Sequence, residues 1–334
     1  MLKNFYFLTL FIYISSMRST FHTLFKMVRP INIVIAITTL IMGYILLRDI
    51  PSIPILIIQA LGFAAAIGFA NIENDVLDLP SDKINRPERP LVTGEIKIRD
   101  ARRAWKALAV LALLCGLVNT IIECVKFMGI VKDWDHALGF GWMGAIILTF
   151  PLWFFAGLCA LLITYNRKLK RTPLVKNMTI GFLCTTPLLF AVQYYFNFSG
   201  NAYPDEHMWA IVPAIPFAFL LTTAREIYKD LEDKTGDRKA GIVTFPLIAG
   251  GKKSRRLAGV LLILSWLALP IPVYYMDQIY QFNYPPLFLI ITGITLTPCF
   301  AIAIFSAHHK NYHRSQSIIK LAMVLGIIAL IVCH

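Results

Sequence analysis

Nine apolar segments, each long enough to cross a membrane, follow one another along this chain. They lie near 28–48, 53–73, 104–122, 140–164, 174–197, 208–228, 257–275, 285–306 and 316–333. A transmembrane helix needs about 17–25 predominantly apolar residues. Only 15% of the 334 residues are charged, compared with about a quarter in soluble proteins. The pattern predicts an all-α polytopic membrane protein with nine transmembrane helices, built as one domain over residues 17–334.

The basic residues are concentrated in every second connection between these segments. One set of connections holds Lys26 and Arg29, the stretches 83–103, 167–176 and 229–256, and Lys310 with Arg314, whereas the alternate set holds only Arg48, Lys126 and Lys132. Because cytoplasmic loops carry the excess of Lys and Arg, this alternation predicts an integral protein of the cytoplasmic membrane with its N-terminus inside. It also explains the net charge of +13 without a nucleic-acid partner.

The first 16 residues stand apart from the nine segments. Residues 1–16 have one lysine followed by an apolar run of about ten residues, the length of the apolar region of a signal peptide. No small-residue cleavage site follows the run. We expect either an uncleaved N-terminal extension or an over-long start that precedes a true initiator at Met17.

A group of carboxylates follows the second apolar segment, in the stretch NDVLDLPSDKINRPERP. Asp75, Asp78 and Asp82 have the spacing i, i+3, i+7, which places them within about 60° of one another around a helix. Pro80 removes a backbone donor and is expected to end or kink the helix. The sequence therefore predicts that Asp75 and Asp78 share a helical face and that Asp82 reaches the same place from a loop.

A second carboxylate cluster follows the sixth apolar segment and repeats this spacing. Asp230, Asp233 and Asp237 are again at i, i+3, i+7. Carboxylates this close repel one another unless positive charge lies among them. Mg²⁺ is the natural candidate, since proteins usually hold it with one or two carboxylates plus substrate phosphates. Two such clusters that face each other would bind a diphosphate through Mg²⁺, and nearby arginines and lysines would bind the other phosphate oxygens.

A third element is the basic connection TYNRKLKRTPLVKN, which contains Tyr165 and Lys170. Its tyrosine and lysine are suited to bind the phosphates of a leaving group. The same composition is also typical of a positively charged cytoplasmic loop with a tyrosine at the membrane interface, and spacing alone does not choose between these interpretations.

These motifs resemble those of the UbiA superfamily of intramembrane prenyltransferases. The first family motif, NDxxDxxxD followed by RPxRP and a glycine, matches Asn74, Asp75, Asp78, Asp82, Arg86, Pro87, Arg89, Pro90 and Gly94. The second motif matches Asp233, Asp237 and Gly241, and the Tyr-x4-Lys loop matches Tyr165 and Lys170. Nine spans around a polar chamber that opens to the cytoplasm are also the family's architecture. The resemblance extends from about Met27 to the end of the chain.

The resemblance implies a mechanism. Mg²⁺ on both aspartate motifs binds the diphosphate of a polyprenyl donor, the C–O bond ionises to an allylic cation, and an acceptor captures it. Arg29 and Asn32 are implied to face the polar chamber. The sequences of its two aspartate motifs look most similar to those of the branch that geranylgeranylates geranylgeranylglyceryl phosphate. Quinone-pathway members, which prenylate 4-hydroxybenzoate or dihydroxynaphthoate, are the alternative, so the acceptor is a lipid or an aromatic compound.

Two other classes of membrane protein fit these residues less well. A secondary transporter places broken helices and ionisable residues near the membrane midplane, whereas the clusters here lie at span ends on one side. A CDP-alcohol phosphotransferase needs Asp-Gly and Ala-Arg steps between its aspartates, and the stretch from Asp75 to Asp82 has neither. Both classes are disfavoured.

Overall fold

The computed structural model describes residues 20–130, 149–198, 211–239, 241–269, 274 and 286–332. Every regular element in that part of the chain is helical, which confirms the all-α prediction. The N-terminal extension at 1–16 lies outside the described residues, as do parts of the predicted spans 140–164, 208–228, 257–275, 285–306 and 316–333. The described residues form two compact units.

The first unit contains the described residues of Met1–Ile37 and Pro54–Arg167. Its helices are α1 (Thr20–Met27), the start of α2 (Pro30–Leu46), α3 (Ile53–Leu77), α4 (Leu79–Asn85), α5 (Pro90–Thr93), α6 (Ile98–Ile130) and α7 (Phe150–Arg167). Helix α7 packs against α6, where the Leu152 amide donates a 3.1 Å hydrogen bond to Thr120 Oγ1. It also packs against α3, where the rings of Phe63 and Phe155 meet edge to face at 5.4 Å.

A small apolar core fixes the segment that carries the first aspartate motif. It contains Met27 of α1, Ile72 of α3, Leu91 of α5, Ile96 from the connection before α6, and Ala101 of α6. Leu91 follows the RPxRP sequence directly, so its burial holds the end of that sequence against the core. Burial of a leucine-sized side chain stabilises the packed arrangement by about 1.5–3 kcal/mol.

The helix that carries the first motif breaks earlier than expected. Helix α3 ends at Leu77, and Asp78 is the N-cap of α4, with Pro80 in the first turn of that helix. Proline is tolerated there because the first amides of a helix have no intrahelical acceptor. The prediction that Asp82 reaches in from a loop is therefore wrong: Asp82 lies in α4, and its amide donates to Asp78 O at 2.8 Å.

The second unit contains Thr38–Ile53 and the described residues of Lys168–His334. Its elements are the end of α2, a 3-10 turn (Leu169–Arg171), α8 (Val175–Phe198), α9 (Ala214–Glu232), α10 (Lys234–Lys239), α11 (Phe245–Ile248), α12 (Gly251–Leu267), α13 (Pro286–Ile290), a π-helical stretch (Ile291–Leu296), α14 (Thr297–His308) and α15 (Tyr312–Val332). Helix α9 is central, since it packs against α8, α12 and α15. Gly181 brings α8 close to α9: a Cβ there would lie 2.8 Å from Phe219 O.

The nine predicted apolar segments each overlap helix among the described residues. By length and composition alone, four helical stretches of the described residues could cross a membrane: Ile53–Leu77, Ile98–Lys126, Val175–Phe196 and Pro286–His308. A fifth candidate is the pair α1 and α2, which is bent by 55°. These stretches fit an integral membrane protein, and the count of nine spans stays a prediction.

Candidate active site

Asp75 is the centre of a charged cluster in the first unit. It lies in the last turn of α3, is buried, and accepts at Oδ1 from both Arg29 Nη2 (2.9 Å) and Arg89 Nη1 (3.0 Å). The same Arg89 nitrogen lies 2.5 Å from Asp82 Oδ2. Two motif carboxylates therefore converge on one guanidinium nitrogen, even though they come from two different helices.

Arg29 reaches Asp75 from the break between α1 and α2. Its backbone has φ of +55°, an uncommon value for a residue other than glycine, and Pro30 follows it and starts α2. A residue before proline is disfavoured in the right-handed helical region, so the helix is interrupted at Arg29. Asn71 Nδ2 of α3 donates to Val28 O at 2.9 Å and thereby ties this break to the helix that carries Asp75.

The two arginines of RPxRP have different environments. Arg89 is half-buried and is the N-cap of α5, and its extended backbone turns the side chain back toward Asp75 and Asp82. Arg86 caps the end of α4 and is exposed. The structure thus brings Arg89 to the carboxylates and leaves Arg86 at the surface.

The other residues predicted in this unit differ in their exposure to solvent. Asp78 and Asn74 are half-buried. Asn32 is exposed in the first turn of α2, where its amide donates to Arg29 O at 3.0 Å. Tyr165 is half-buried in the last turn of α7.

Glu73 forms a second buried ion pair, which the motif analysis missed. This residue is 2% exposed and accepts from Asn166 Nδ2 at 3.1 Å and from Arg167 Nε and Nη2 at 3.1 and 2.9 Å. Asn166 Nδ2 also donates to Ala70 O at 2.9 Å. These bonds join the end of α7, which carries Tyr165, to the turn of α3 that precedes Asp75.

Asp230 is a buried carboxylate of the second unit that binds two polar side chains. It is 3% exposed, and its two oxygens accept from Lys176 Nζ at 2.6 Å and from Asn177 Nδ2 at 2.9 Å. Lys176 and Asn177 begin α8, and Asp230 lies near the end of α9. Neither partner was singled out from the sequence, although an asparagine in the first turn of an apolar helix is a recognisable signal.

Asp233 and Asp237 continue this cluster beyond the end of α9. Asp233 is the C-cap of α9, Asp237 lies in α10, and the Asp237 amide donates to Asp233 O at 2.9 Å. Removal from solvent raises the pKa of both carboxyls above the ordinary value of an aspartate. For Asp237, Lys176 opposes this rise, and Asp230 and Asp233 add to it. A cation close to these two carboxyls would favour their ionised form.

Lys170 lies in the 3-10 turn Leu169–Arg171 of the second unit and is half-buried. Its predicted partner Tyr165 belongs to the first unit. The turn is short, and its ends are tied by the Thr172 amide, which donates to Leu169 O at 2.9 Å.

Within the described part of the chain, no three His, Cys, Asp or Glu side chains lie close enough together to hold a metal ion by themselves. Mg²⁺ sites that bind phosphate substrates commonly use only one or two carboxylates and complete the coordination with phosphate and water. The oxygen donors and flanking cations fit such an open site rather than a closed protein cage.

Comparison with known proteins gives one family. The model of the UbiA prenyltransferase family matches residues 35–129 and 136–297. A digeranylgeranylglyceryl phosphate synthase of Methanobrevibacter smithii is 30% identical over 305 residues, which cover 91% of this chain and 95% of that protein. The synthase of the same name from Methanothermobacter thermautotrophicus is also 30% identical, over 91% of this chain and 93% of its own length.

Solved structures agree on the fold. A structure described as giving insight into digeranylgeranylglyceryl phosphate synthase in membranes has a TM-score of 0.68 and 24% identity, and the match covers 93% of this chain and 97% of that one. A UbiA homologue from Archaeoglobus fulgidus bound to DMAPP and Mg²⁺ has a TM-score of 0.58 and 16% identity, over 92% and 99%. The match of the family model over most of the chain, with the aspartate motifs in helical, cation-flanked clusters, shows that this chain belongs to the UbiA prenyltransferase family and is a prenyltransferase.

Proposed function

We propose that the chain transfers a polyprenyl group from a prenyl diphosphate to a lipid alcohol, geranylgeranylglyceryl phosphate or a related precursor, and releases diphosphate. Support for the acceptor comes from the names of relatives that are 30% identical over nine-tenths of the chain. Support for the chemistry comes from the two carboxylate clusters, each of which already holds cationic side chains within hydrogen-bond distance.

Mg²⁺ is the proposed cofactor. Its oxygen ligands would come from Asp75, Asp78 and Asp82 in the first unit and from Asp233 and Asp237, with Asp230, in the second. Mg²⁺ would neutralise the diphosphate and stabilise the charge that develops when the allylic C–O bond breaks. The carboxylate oxygens of Asp75 and Asp82 meet at one Arg89 nitrogen, so they are close enough together to act on one cation.

The basic residues that hold these carboxylates have a second proposed role. Arg29, Arg89 and Lys176 lie 2.6–3.0 Å from motif or cluster carboxylates. A phosphate oxygen near the same carboxylates would lie within reach of these donors, and charge-assisted bonds to phosphate are among the stronger hydrogen bonds. These three residues would therefore bind the leaving diphosphate. Tyr165, Lys170 and Asn74 are proposed as further contacts to it, whereas roles for Asn32 and Arg86 stay predictions.

The membrane arrangement is part of the proposal. Nine transmembrane helices, an N-terminus in the cytoplasm and catalytic residues on the cytoplasmic side follow from the alternation of basic connections. The apolar helices would hold the prenyl chain and keep water away from the allylic cation. Membrane lipid is then the solvent of the donor and the acceptor alike.

One experiment tests the proposed reaction. Membranes that contain the protein are incubated with Mg²⁺ and radiolabelled geranylgeranyl diphosphate, and geranylgeranylglyceryl phosphate, 4-hydroxybenzoate and dihydroxynaphthoate are offered in turn. We expect label to pass to geranylgeranylglyceryl phosphate. Label in an aromatic acceptor instead would establish the quinone-pathway alternative, and label in none of the three would contradict the proposed acceptor class.

A further inference from the structure

Glu226 is a buried carboxylate that the two aspartate motifs do not include. It lies in α9, is 4% exposed, and is followed by the buried residues Ile227 and Tyr228. Glu226 lies within the predicted span 208–228, and ionisable residues inside membrane helices are costly to bury and usually mark functional sites.

Glu226 extends the line of carboxylates in the second unit by one turn. Glu226, Asp230, Asp233 and Asp237 are spaced i, i+4, i+7, i+11, which places them within about 60° of one another on a continuous helix. The backbone keeps helical hydrogen bonds past the end of α9, since the Asp233 amide donates to Lys229 O and the Asp237 amide to Asp233 O, both at 2.9 Å. Glu226 lies about 6 Å along the axis from Asp230, toward the apolar middle of the helix.

Arg225 supplies the positive charge that a buried carboxylate needs. Arg225 Nη2 lies 2.6 Å from Glu226 Oε1. Adjacent residues of a helix do not normally face each other, so the arginine side chain bends around the helix to make this contact. Its Nε is buried and has no hydrogen-bond partner among the described residues.

The pair borders an accessible part of α8. Cys184 of α8 has an exposed side chain, and α8 packs against α9, the helix that carries Arg225 and Glu226. This thiol therefore provides a chemical reporter on the helix beside the proposed acceptor position.

We propose that Glu226 is the general base that takes the proton of the acceptor's hydroxyl group, an inference that rests on the proposed function. The allylic C–O bond to diphosphate breaks and its electron pair leaves with the diphosphate. The hydroxyl oxygen forms the new C–O bond to that carbon, and its proton passes to a Glu226 oxygen. The products are an ether, diphosphate and a protonated Glu226.

The position of Glu226 suits this role. Ether formation differs from carbon alkylation of an aromatic ring because a neutral alcohol is a weak nucleophile, and a base in contact with the hydroxyl accelerates its attack. In the proposed arrangement the reacting carbon would lie on the side of the diphosphate away from the metal-binding aspartates. A base for the nucleophile would then be needed further into the apolar region, and Glu226 lies about one helical turn from Asp230 in that direction.

The test is a steady-state comparison of wild type, Glu226→Gln and Glu232→Gln. Glutamine keeps an oxygen that accepts from Arg225 but cannot take a proton. We expect Glu226→Gln to lower kcat for ether formation by about 100-fold or more, to leave the donor KM unchanged, and to raise the ratio of hydrolysed donor to ether product. Glu232, exposed on another face of α9, should change kcat by less than about threefold when replaced by glutamine.

The outcomes separate a catalytic role from a structural one. Transfer by Glu226→Gln within about threefold of wild type would overturn the proposal, as would a fall in kcat together with an equal rise in the donor KM. If Glu226→Gln does not accumulate in membranes, labelling of wild-type Cys184 by a maleimide decides the question. The acceptor alcohol should slow that labelling, with buried Cys159 as the internal reference, and an unchanged rate would overturn the proposal.

Failure of this inference can be told apart from failure of the proposed function. Wild-type protein that makes no ether from any alcohol acceptor would refute the proposed function itself. Wild-type activity that persists in Glu226→Gln and is lost in Asp233→Asn would refute the role of Glu226 alone.

Discussion

Arg89 donates to Asp82 with 2.5 Å between Nη1 and Oδ2, and the same nitrogen lies 3.0 Å from Asp75. Replacement of Arg89 by glutamine removes the charge between these two carboxylates, which then repel each other, and removes a donor to the leaving diphosphate. We expect kcat/KM for the donor to fall by about 100-fold or more. Arg86→Gln is the matched control from the same RPxRP sequence. Because Arg86 is exposed, an equal loss in both variants would contradict the assignment.

Lys176 gives the corresponding prediction for the second unit. Lys176→Met leaves the buried Asp230 carboxylate with Asn177 as its remaining partner and removes a cation that opposes the raised pKa of Asp237. We expect a higher Mg²⁺ concentration for half-maximal transfer, or a loss of transfer altogether, measured by titration with MgCl₂. Lys168→Met, at an exposed position nearby, should leave the Mg²⁺ requirement unchanged.

Glu73 is expected to act through the position of α7. Glu73→Gln weakens its bonds to Asn166 and Arg167 and should lower the free energy of unfolding by about 1–3 kcal/mol, measured by thermal unfolding in detergent. Because Tyr165 is carried on the same turn of α7, the donor KM should rise as well. Glu95→Gln removes an exposed carboxylate of the same unit and should leave both quantities unchanged. A Glu73→Gln protein with wild-type stability would show that these bonds do not hold α7.

Gly181 tests the close packing of α8 on α9. An added Cβ would lie 2.3 Å from Thr223 Oγ1 and 2.8 Å from Phe219 O, so the helices must separate. Overpacking of this kind costs about 1–3 kcal/mol, and we expect Gly181→Ala to lower the unfolding temperature and the transfer rate together. Gly157→Ala in α7 adds the same methyl group where no atom of the described residues lies within 4 Å. The two variants should therefore differ clearly in stability, and equal stability would contradict the packing described for α8.

Sequence patterns predicted the helices well where apolar length decides the structure. The segment predicted at 53–73 is the helix Ile53–Leu77, and the segment at 104–122 lies within Ile98–Ile130. Both helices extend beyond their apolar part, because Asn74, Asp75 and the basic residues after Ile98 continue the helix although they lower the hydropathy. Hydropathy therefore located the helices but not their ends.

The side-chain contacts were less predictable. The spacing of Asp75, Asp78 and Asp82 indicated a shared site, but it did not indicate that the helix breaks at Asp78 rather than after Pro80. The choice of Arg89 over Arg86 depends on the extended backbone before α5. Glu226 could have been found from its i, i+4, i+7 relation to Asp230 and Asp233. Its pairing with the adjacent Arg225 could not, because neighbouring residues of a helix normally diverge.

The central claim is that carboxylates of both clusters support Mg²⁺-dependent prenyl transfer. The most direct measurement is transfer of labelled geranylgeranyl groups to geranylgeranylglyceryl phosphate by purified wild type, Asp75→Asn, Asp233→Asn and the control Asp100→Asn, each with Mg²⁺ and with EDTA. We predict transfer by wild type and Asp100→Asn that EDTA abolishes, and loss by about 100-fold or more in each of the other two variants. Full transfer by Asp75→Asn and Asp233→Asn, or wild-type transfer that persists in EDTA, would contradict the account.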